Sequence, residues 1–301
     1  MTDGVIRLAD AMGPRVVQFY VLEDDFGCVL FDAALPGSVQ SRLARGEIPG
    51  PLTRVIISHA DADHLGDAGS LREAEILCHA LDRDWISDHD RLVTERYGPA
   101  YPPESLRALR DACGPDFPVS RTLEDRELLR IGHRTWRVLH VPGHTRGHIA
   151  LWREDDGVLL IGDAVLGLAV PNRDGKPSIP PTHCHISEYL ATIERLSDIP
   201  VSTVFSGHWP PLDASEFRNL LADSKTCVLR DLECVASCSG EPLGVDGYVE
   251  QICSRFRSWP PVEDIHYRFA VAGYLEYLTV KSVLQQLPGG RYTAARGVAH
   301  V

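Results

Sequence analysis

Apolar positions in this chain fall into short runs with two different periods. Residues 16–22 and 28–31 are rich in valine, leucine and aromatic side chains, and Glu23-Asp24-Asp25-Phe26-Gly27 separates them, which predicts a β-hairpin. Asp32 ends the second strand, and 36–45 follows as a short helix. Apolar runs at 54–58 and 74–78 predict two more strands, the first leading into a polar loop. Residues 80–130 differ: they are charged, helical in places, and broken by Gly98-Pro99, Pro102-Pro103 and Gly114-Pro115, which predicts an insertion covering something. Strands return at 135–141, 148–153 and 158–161, the last two joined by the tight turn Asp155-Asp156-Gly157. A long loop over 170–185 holds four prolines, and loops of that length are often functional. Tyr189, Leu190, Ile193 and Leu196 then recur at helical spacing, and 203–205 is a strand running into Ser206-Gly207-His208. Pro210-Pro211 marks a boundary. Beyond it Phe217, Leu220, Leu221, Val228, Leu232 and Val235, then Val271, Leu275 and Leu278, keep a helical period that extends toward Leu287. The predicted organisation is a domain over 1–211, with its insertion at about 80–130, and a helical region over 212–301.

With 301 residues, 44% apolar and 24% charged, the chain is an ordinary globular one, long enough to bury a core without disulfides. Its 42 acidic against 30 basic residues leave a net charge of −12, which disfavours nucleic acid as a partner. No run of 18 apolar residues suggests a membrane span, and the first 21 residues lack the apolar stretch of a signal peptide. A cytoplasmic protein with free thiols is therefore expected. The eight cysteines form no CxxC pair and read as small buried hydrophobes.

Chemistry concentrates in four segments, each after a strand. Ser58-His59-Ala60-Asp61-Ala62-Asp63-His64 places four potential metal ligands within six residues; an extended chain would set 59, 61 and 63 on one side and leave His64 for a second metal. Val141-Pro142-Gly143-His144-Thr145-Arg146-Gly147-His148 uses glycines to turn an imidazole inward. Ile161-Gly162-Asp163 presents a carboxylate, whose two oxygens can bridge two cations, and Ser206-Gly207-His208 presents another imidazole. Imidazole with carboxylate suits zinc, iron or manganese, and the lack of thiolate argues against a structural zinc site.

Together these segments resemble the metallo-β-lactamase-fold hydrolase superfamily, whose signature is His-x-His-x-Asp-His followed by a His, an Asp and a His at strand ends. The Pro-Gly-His-Thr-x-Gly-His form is similar to the glyoxalase II and lactonase branch. Asp32 matches the family's early structural Asp, and the likeness runs over about 15–211. One position departs: Asp61 stands where the family usually has its second His. That keeps a ligand but makes it harder and anionic, shifting preference from zinc toward iron or manganese.

The resemblance implies an α+β fold, a four-layer αββα sandwich of two mixed sheets between helices, with a C-terminal helical extension. It implies two divalent metal ions, zinc first, with iron and manganese as alternatives. His59, Asp61 and His144 would hold one, Asp63, His64 and His208 the other, and Asp163 would bridge. A shared hydroxide would attack a carbonyl or phosphoryl centre, with Asp63 orienting it and moving its proton. His148 would support the ligands. His183, with His185 beside it in the proline-rich loop, is a catalytic candidate that would meet substrate or an oxyanion, against the default of a surface loop. Tyr97 and Tyr101 are candidates for the pocket mouth. Arg83, Arg91, Arg96, Arg107 and Arg110 offer cations for an anionic small molecule. The expected function is hydrolysis of a small ester, thioester or lactone. The alternatives are an iron-dependent oxygenase or redox protein, a nuclease, and a metal-binding regulator with little turnover. The helical tail would extend the pocket wall or form a homodimer contact.

Overall fold

A computed structural model describes residues 4–238 and 241–295. Two six-stranded sheets form its centre. The first runs β1 (Val5–Met12), β2 (Arg15–Asp24), β3 (Gly27–Phe31), β4 (Leu52–Ile56), β5 (Glu75–His79) and β6 (Arg121–Leu123), in that spatial order. The β1–β2 and β2–β3 pairs are antiparallel; β3 through β6 pair parallel. The second sheet takes β7 (Leu128–Ile131), β8 (Arg134–His140), β9 (Ile149–Arg153) and β10 (Val158–Gly162). After a hairpin of β11 (Val170–Pro171) and β12 (Pro177–Ile179) it adds β13 (Thr203–Ser206) and β14 (Leu212–Asp213). Its order is β14-β13-β10-β9-β8-β7, with β10 and β13 parallel.

Side-chain alternation explains the layering. In β3, Val29 and Phe31 face inward to a core shared with Trp136, Val138, Leu151 and Leu160 of the second sheet. Cys28 and Leu30, one residue out of step, face a second core under the helices of 38–112. These helices are α1 (Ser38–Ala44), α2 (Ala62–Leu65), α3 (Arg83–Ser87), α4 (His89–Leu92) and α5 (Pro103–Ala112). On the second sheet, Leu159 and Ile161 of β10 face outward to α6 (Ile186–Ser197), α7 (Ala214–Ala236), α8 (Val245–Phe256) and α9 (Arg268–Val280). The result is helices, sheet, sheet, helices, with both faces of each sheet covered.

Three expectations change. Residues 80–130 are not helical throughout: 121–123 and 128–131 are strands of three and four residues that extend one sheet each, too short to stand out in the sequence. The edge strand β1 carries no clear signal in the sequence because Arg7 and Asp10 interrupt its apolar pattern; every residue of it after Val5 is exposed or half-buried. The helical pattern expected to run toward Leu287 stops at Val280, and β15 (Leu284–Leu287) turns through Pro288-Gly289-Gly290 to pair with β16 (Arg291–Ala294). Residues on both sides of 211 share one core, in which Leu159 and Tyr189 pack with Val228, Tyr248 and Tyr274. The expectations for 1–3, 239–240 and 296–301 lie outside the described residues.

Candidate metal centre

The four segments converge at one edge of the sandwich, each carried by the end of a strand. β3 delivers Asp32, held in the left-handed region at φ 67°. Its Oδ1 accepts the Ser58 backbone N–H at 2.7 Å, and its Oδ2 accepts from Ser58 Oγ at 2.9 Å and His64 Nδ1 at 2.8 Å. Ser58 Oγ, donating to Asp32, accepts from His59 Nδ1 at 2.8 Å. One carboxylate thereby fixes the tautomers of two imidazoles and aims their Nε2 lone pairs away from it. The chain after His59 is not extended as far as expected. Asp61 is extended (φ −135°, ψ 145°), but it begins α2, so Asp63 and His64 leave from a helical turn.

Gly143 carries His144 inward at φ +142°, where a β-carbon would overlap Tyr189. The 141–148 loop is tied to the first segment by Asp82, which accepts from Thr145 Oγ1 (2.6 Å), Gly147 N–H (2.7 Å) and Ala60 N–H (3.0 Å). His148 accepts the Asp163 backbone N–H on Nε2 at 3.1 Å and stacks on His59 with centroids 4.5 Å apart. Burial, with His59 and His144 nearby, keeps it neutral by pushing its pKa well below the ordinary imidazole range. β13 delivers His208, whose Nδ1 donates to the Val16 carbonyl at 2.8 Å and whose Nε2 lies 3.0 Å from Asp163 Oδ2.

Three overlapping donor groups result: His59, Asp61 and His144; His59, His64 and Asp163; Asp63, His64 and His208. Within each, the ligand atoms lie within 4.8 Å of one another. The charge balance is that of a cation site. Burial resists ionisation of Asp163, yet His208, His64 and His59 hold its carboxyl well below the usual range. Burial likewise opposes protonation of His64 and His208, yet Asp32 and Asp63 raise the first, and Asp163 and Asp63 the second. Asp61 is held well down against its burial, chiefly by the Arg96 guanidinium. Above these donors sits a cavity of about 120 Å³ whose wall includes Asp61, Asp63, Asp163, His208, Tyr97 and Tyr101.

The seven ligand candidates are thus brought together. His183 is not with them. It is buried, stacked on Tyr189 at 4.4 Å, with Nε2 bonded to the Tyr274 hydroxyl at 2.7 Å, so it faces the helical layer. Its neighbour Thr182 lines the cavity instead. Of the five insertion arginines, Arg96 alone lines the cavity; Arg83, Arg91 and Arg107 are exposed, and Arg110 pairs with Asp90 and Asp116. Asp82 was missed altogether, since a carboxylate after a strand carries no sequence mark of its two loop partners.

Comparison with known proteins gives the family and the fold. The family model described as the metallo-beta-lactamase superfamily matches residues 12–208. The acyl-coenzyme A thioesterase MBLAC2 of Gallus gallus is 27% identical over 64% of this chain and 72% of its own length. The probable metallo-hydrolase YqjP of Bacillus subtilis is 28% identical over 58% of this chain and 60% of its own. The hydroxyacylglutathione hydrolase of Methylococcus capsulatus is 27% identical over 64% and 66%. The chain therefore spans between three fifths and three quarters of these relatives. A crystal structure of a metallo-beta-lactamase family protein of Thermus thermophilus matches with a TM-score of 0.75 at 22% identity, covering 97% of this chain and 99% of that one. That likeness concerns the fold, and it takes in the C-terminal helices.

Proposed function

The chain belongs to the metallo-beta-lactamase superfamily, and from that premise we propose that it is a metal-dependent hydrolase of a small thioester, ester or lactone. The observation that carries the reading is the state of the donor atoms. His59 Nε2, His64 Nε2 and Asp163 Oδ1 are buried without a hydrogen-bond partner, and all three belong to one donor group. Leaving such atoms unpaired costs about 1–3 kcal/mol each, and a bound cation removes that cost. The residues therefore fit divalent metal: nitrogen and oxygen donors, imidazoles oriented through Nδ1 by Asp32 and a backbone carbonyl, and ionised carboxylates. Seven donors suffice for two ions, and the set suits zinc, iron or manganese. When bound, such an ion polarises a carbonyl oxygen and brings the pKa of its water toward neutrality.

The chain's own groups do the rest. Asp63 lines the cavity with its side chain 18% exposed, within reach of water there, and serves to orient the attacking water and take its proton. At about 120 Å³ the cavity is smaller than the ~300–1,000 Å³ typical of sites that enclose a drug-sized ligand, so it admits the reacting carbonyl end of a substrate. At the rim the Tyr101 hydroxyl bonds His266 Nδ1, and His266 pairs with Glu263 at 2.9 Å. Thioesters come first among the three classes because one relative is named a thioesterase. All eight cysteines are free, which suits the reducing cytoplasm expected of the chain. Among the described residues no helix is long and apolar enough to cross a membrane.

The test is a panel of thioesters, esters and lactones with the chain as isolated, after chelation, and after reloading with zinc, manganese or iron. Hydrolysis is expected to vanish with the metal and return on reloading, and Asp163→Ala is expected to lose both metal and turnover. Full metal and full turnover in that variant would refute the bridging role. Iron as the isolated metal, with oxygen consumption and no hydrolysis, would replace the hydrolase with the oxygenase.

A further inference from the structure

The two halves of the donor cluster are not equivalent. Among the described residues, the ion-pair partners of Asp63 and Asp163 are imidazoles alone. His64 and His208 are both committed through Nδ1, to Asp32 and the Val16 carbonyl, which leaves each Nε2 turned toward those carboxylates. That half is organised for a cation, and neither carboxylate has a guanidinium or ammonium partner among the described residues.

The other half already holds one. Both oxygens of Asp61 are taken: Oδ1 by the Tyr97 hydroxyl and, at 3.4 Å, by Arg96 Nε; Oδ2 by Arg96 Nη2 at 3.1 Å and His144 Nε2 at 2.8 Å. The same Arg96 Nη2 lies 3.3 Å from His144 Nε2, so one guanidinium nitrogen touches two of the three donors of this half. The guanidinium is not a mobile surface group. Its side chain is 4% exposed, Nη1 reaches the His144 carbonyl at 3.3 Å, and the rings of Tyr97 and Phe269 lie 5.8 and 5.5 Å from it. It comes from a π-helical turn, Val93–Tyr97, and that rare geometry presents Arg96 and Tyr97 together; the Tyr97 hydroxyl also accepts the Ala62 N–H at 2.9 Å.

We infer that Arg96 is a built-in cation at the His59–Asp61–His144 position. The chain then binds one divalent ion tightly, on Asp63, His64, His208 and Asp163, and a second far more weakly. A metal entering the first position must share the Asp61 carboxylate with a buried guanidinium and meet its positive charge in a medium that screens poorly. The aspartate at 61 and the arginine at 96 are thus one unit: a buried arginine needs a carboxylate, and the histidine usual in the family at 61 would leave it unpaired. The inference rests on the cluster being a metal centre.

The experiment is a zinc titration of the full chain, stripped by chelation and dialysed, against a competing chromophoric chelator. One tight equivalent is expected, with a second roughly 100-fold weaker or more. Arg96→Met is expected to tighten the second step about 10-fold or more and leave the first in place, whereas Asp63→Asn should abolish the first. Two equal equivalents in the unaltered chain would overturn the inference and leave the metal reading standing. An unchanged second step in folded Arg96→Met would do the same. Should that variant fail to fold, Arg96→Gln removes the charge and keeps a hydrogen-bond donor for Asp61; its second step should tighten, and no change would count against the inference. No binding at all would overturn the metal reading and the inference together.

Discussion

At the scale of single residues, the centre depends on atoms that never touch a ligand. Asp32 sets two imidazoles, Asp82 ties two loops, and His148 holds the Asp163 backbone. Gly207 acts by lacking a side chain. Its N–H donates to the Gly162 carbonyl at 2.9 Å, and a β-carbon there would overlap Asp163 Oδ1 and press His64 Cε1. The obstacle is a buried carboxylate of the donor cluster rather than a flexible chain end, so a methyl group must displace the carboxylate or its strand. Gly207→Ala is therefore expected to weaken the tight zinc step about 10- to 100-fold, the range seen when groups supporting a metal ligand are lost. Zinc titration beside a thermal melt checks it; an unchanged zinc affinity would mean that Asp163 is not a ligand.

At the scale of elements, what was legible is what carries chemistry at a strand end. The histidines and aspartates of 59–64, 144, 163 and 208 cluster beside glycines and short apolar runs, so residue type and local pattern sufficed to find them. What was not legible depends on distance in the fold. Arg96 and Tyr97 stand among the sequence candidates for substrate contact and the pocket mouth, but their joint hold on Asp61, 35 and 36 residues earlier, shows only once the π-helical turn is formed. The short strands β6 and β7 gain definition only from the sheet edges they extend. The boundary at Pro210-Pro211 looks like a domain end in sequence, yet the helices beyond it complete the core over β8 to β10. A chain ending at residue 211 would lose Phe217, Leu221, Val228, Tyr267, Tyr274 and Leu275, all buried. At about 1.5–3 kcal/mol each, their burial matches or exceeds the ~5–15 kcal/mol that holds a typical domain together. The truncated chain is expected to be insoluble or to melt without a cooperative transition, measured by soluble yield and calorimetry; a sharp melt near that of the full chain would make 1–211 an independent domain.

At the scale of the whole molecule, burial of neutral imidazoles makes the protein acid-labile from the inside. His183 is the clearest case. Burial above all, with His144 nearby, lowers its pKa to about 3, and it sits outside the donor groups. His185 is lowered to about 4, by burial and then Arg146. The unfolded chain protonates such residues below about pH 6.5, whereas the folded chain does not until pH 4 or lower. The unfolded state therefore binds more protons in that window, and stability falls as pH drops from 6.5 toward 3; above 6.5 both states are neutral and the contribution is complete. By about pH 5, His183 alone should remove about 2 kcal/mol. His183→Phe tests this with little change of shape, because a phenyl ring can stack on Tyr189, and the Tyr274 hydroxyl keeps Asp231 Oδ2 at 3.3 Å. Denaturant melts at neutral pH and near pH 5 should show the loss of stability shrinking by about that amount in the variant, whatever its stability at neutral pH. An undiminished loss would mean that His183 is solvated in the folded chain, which would return it to the cavity side as a candidate for catalysis.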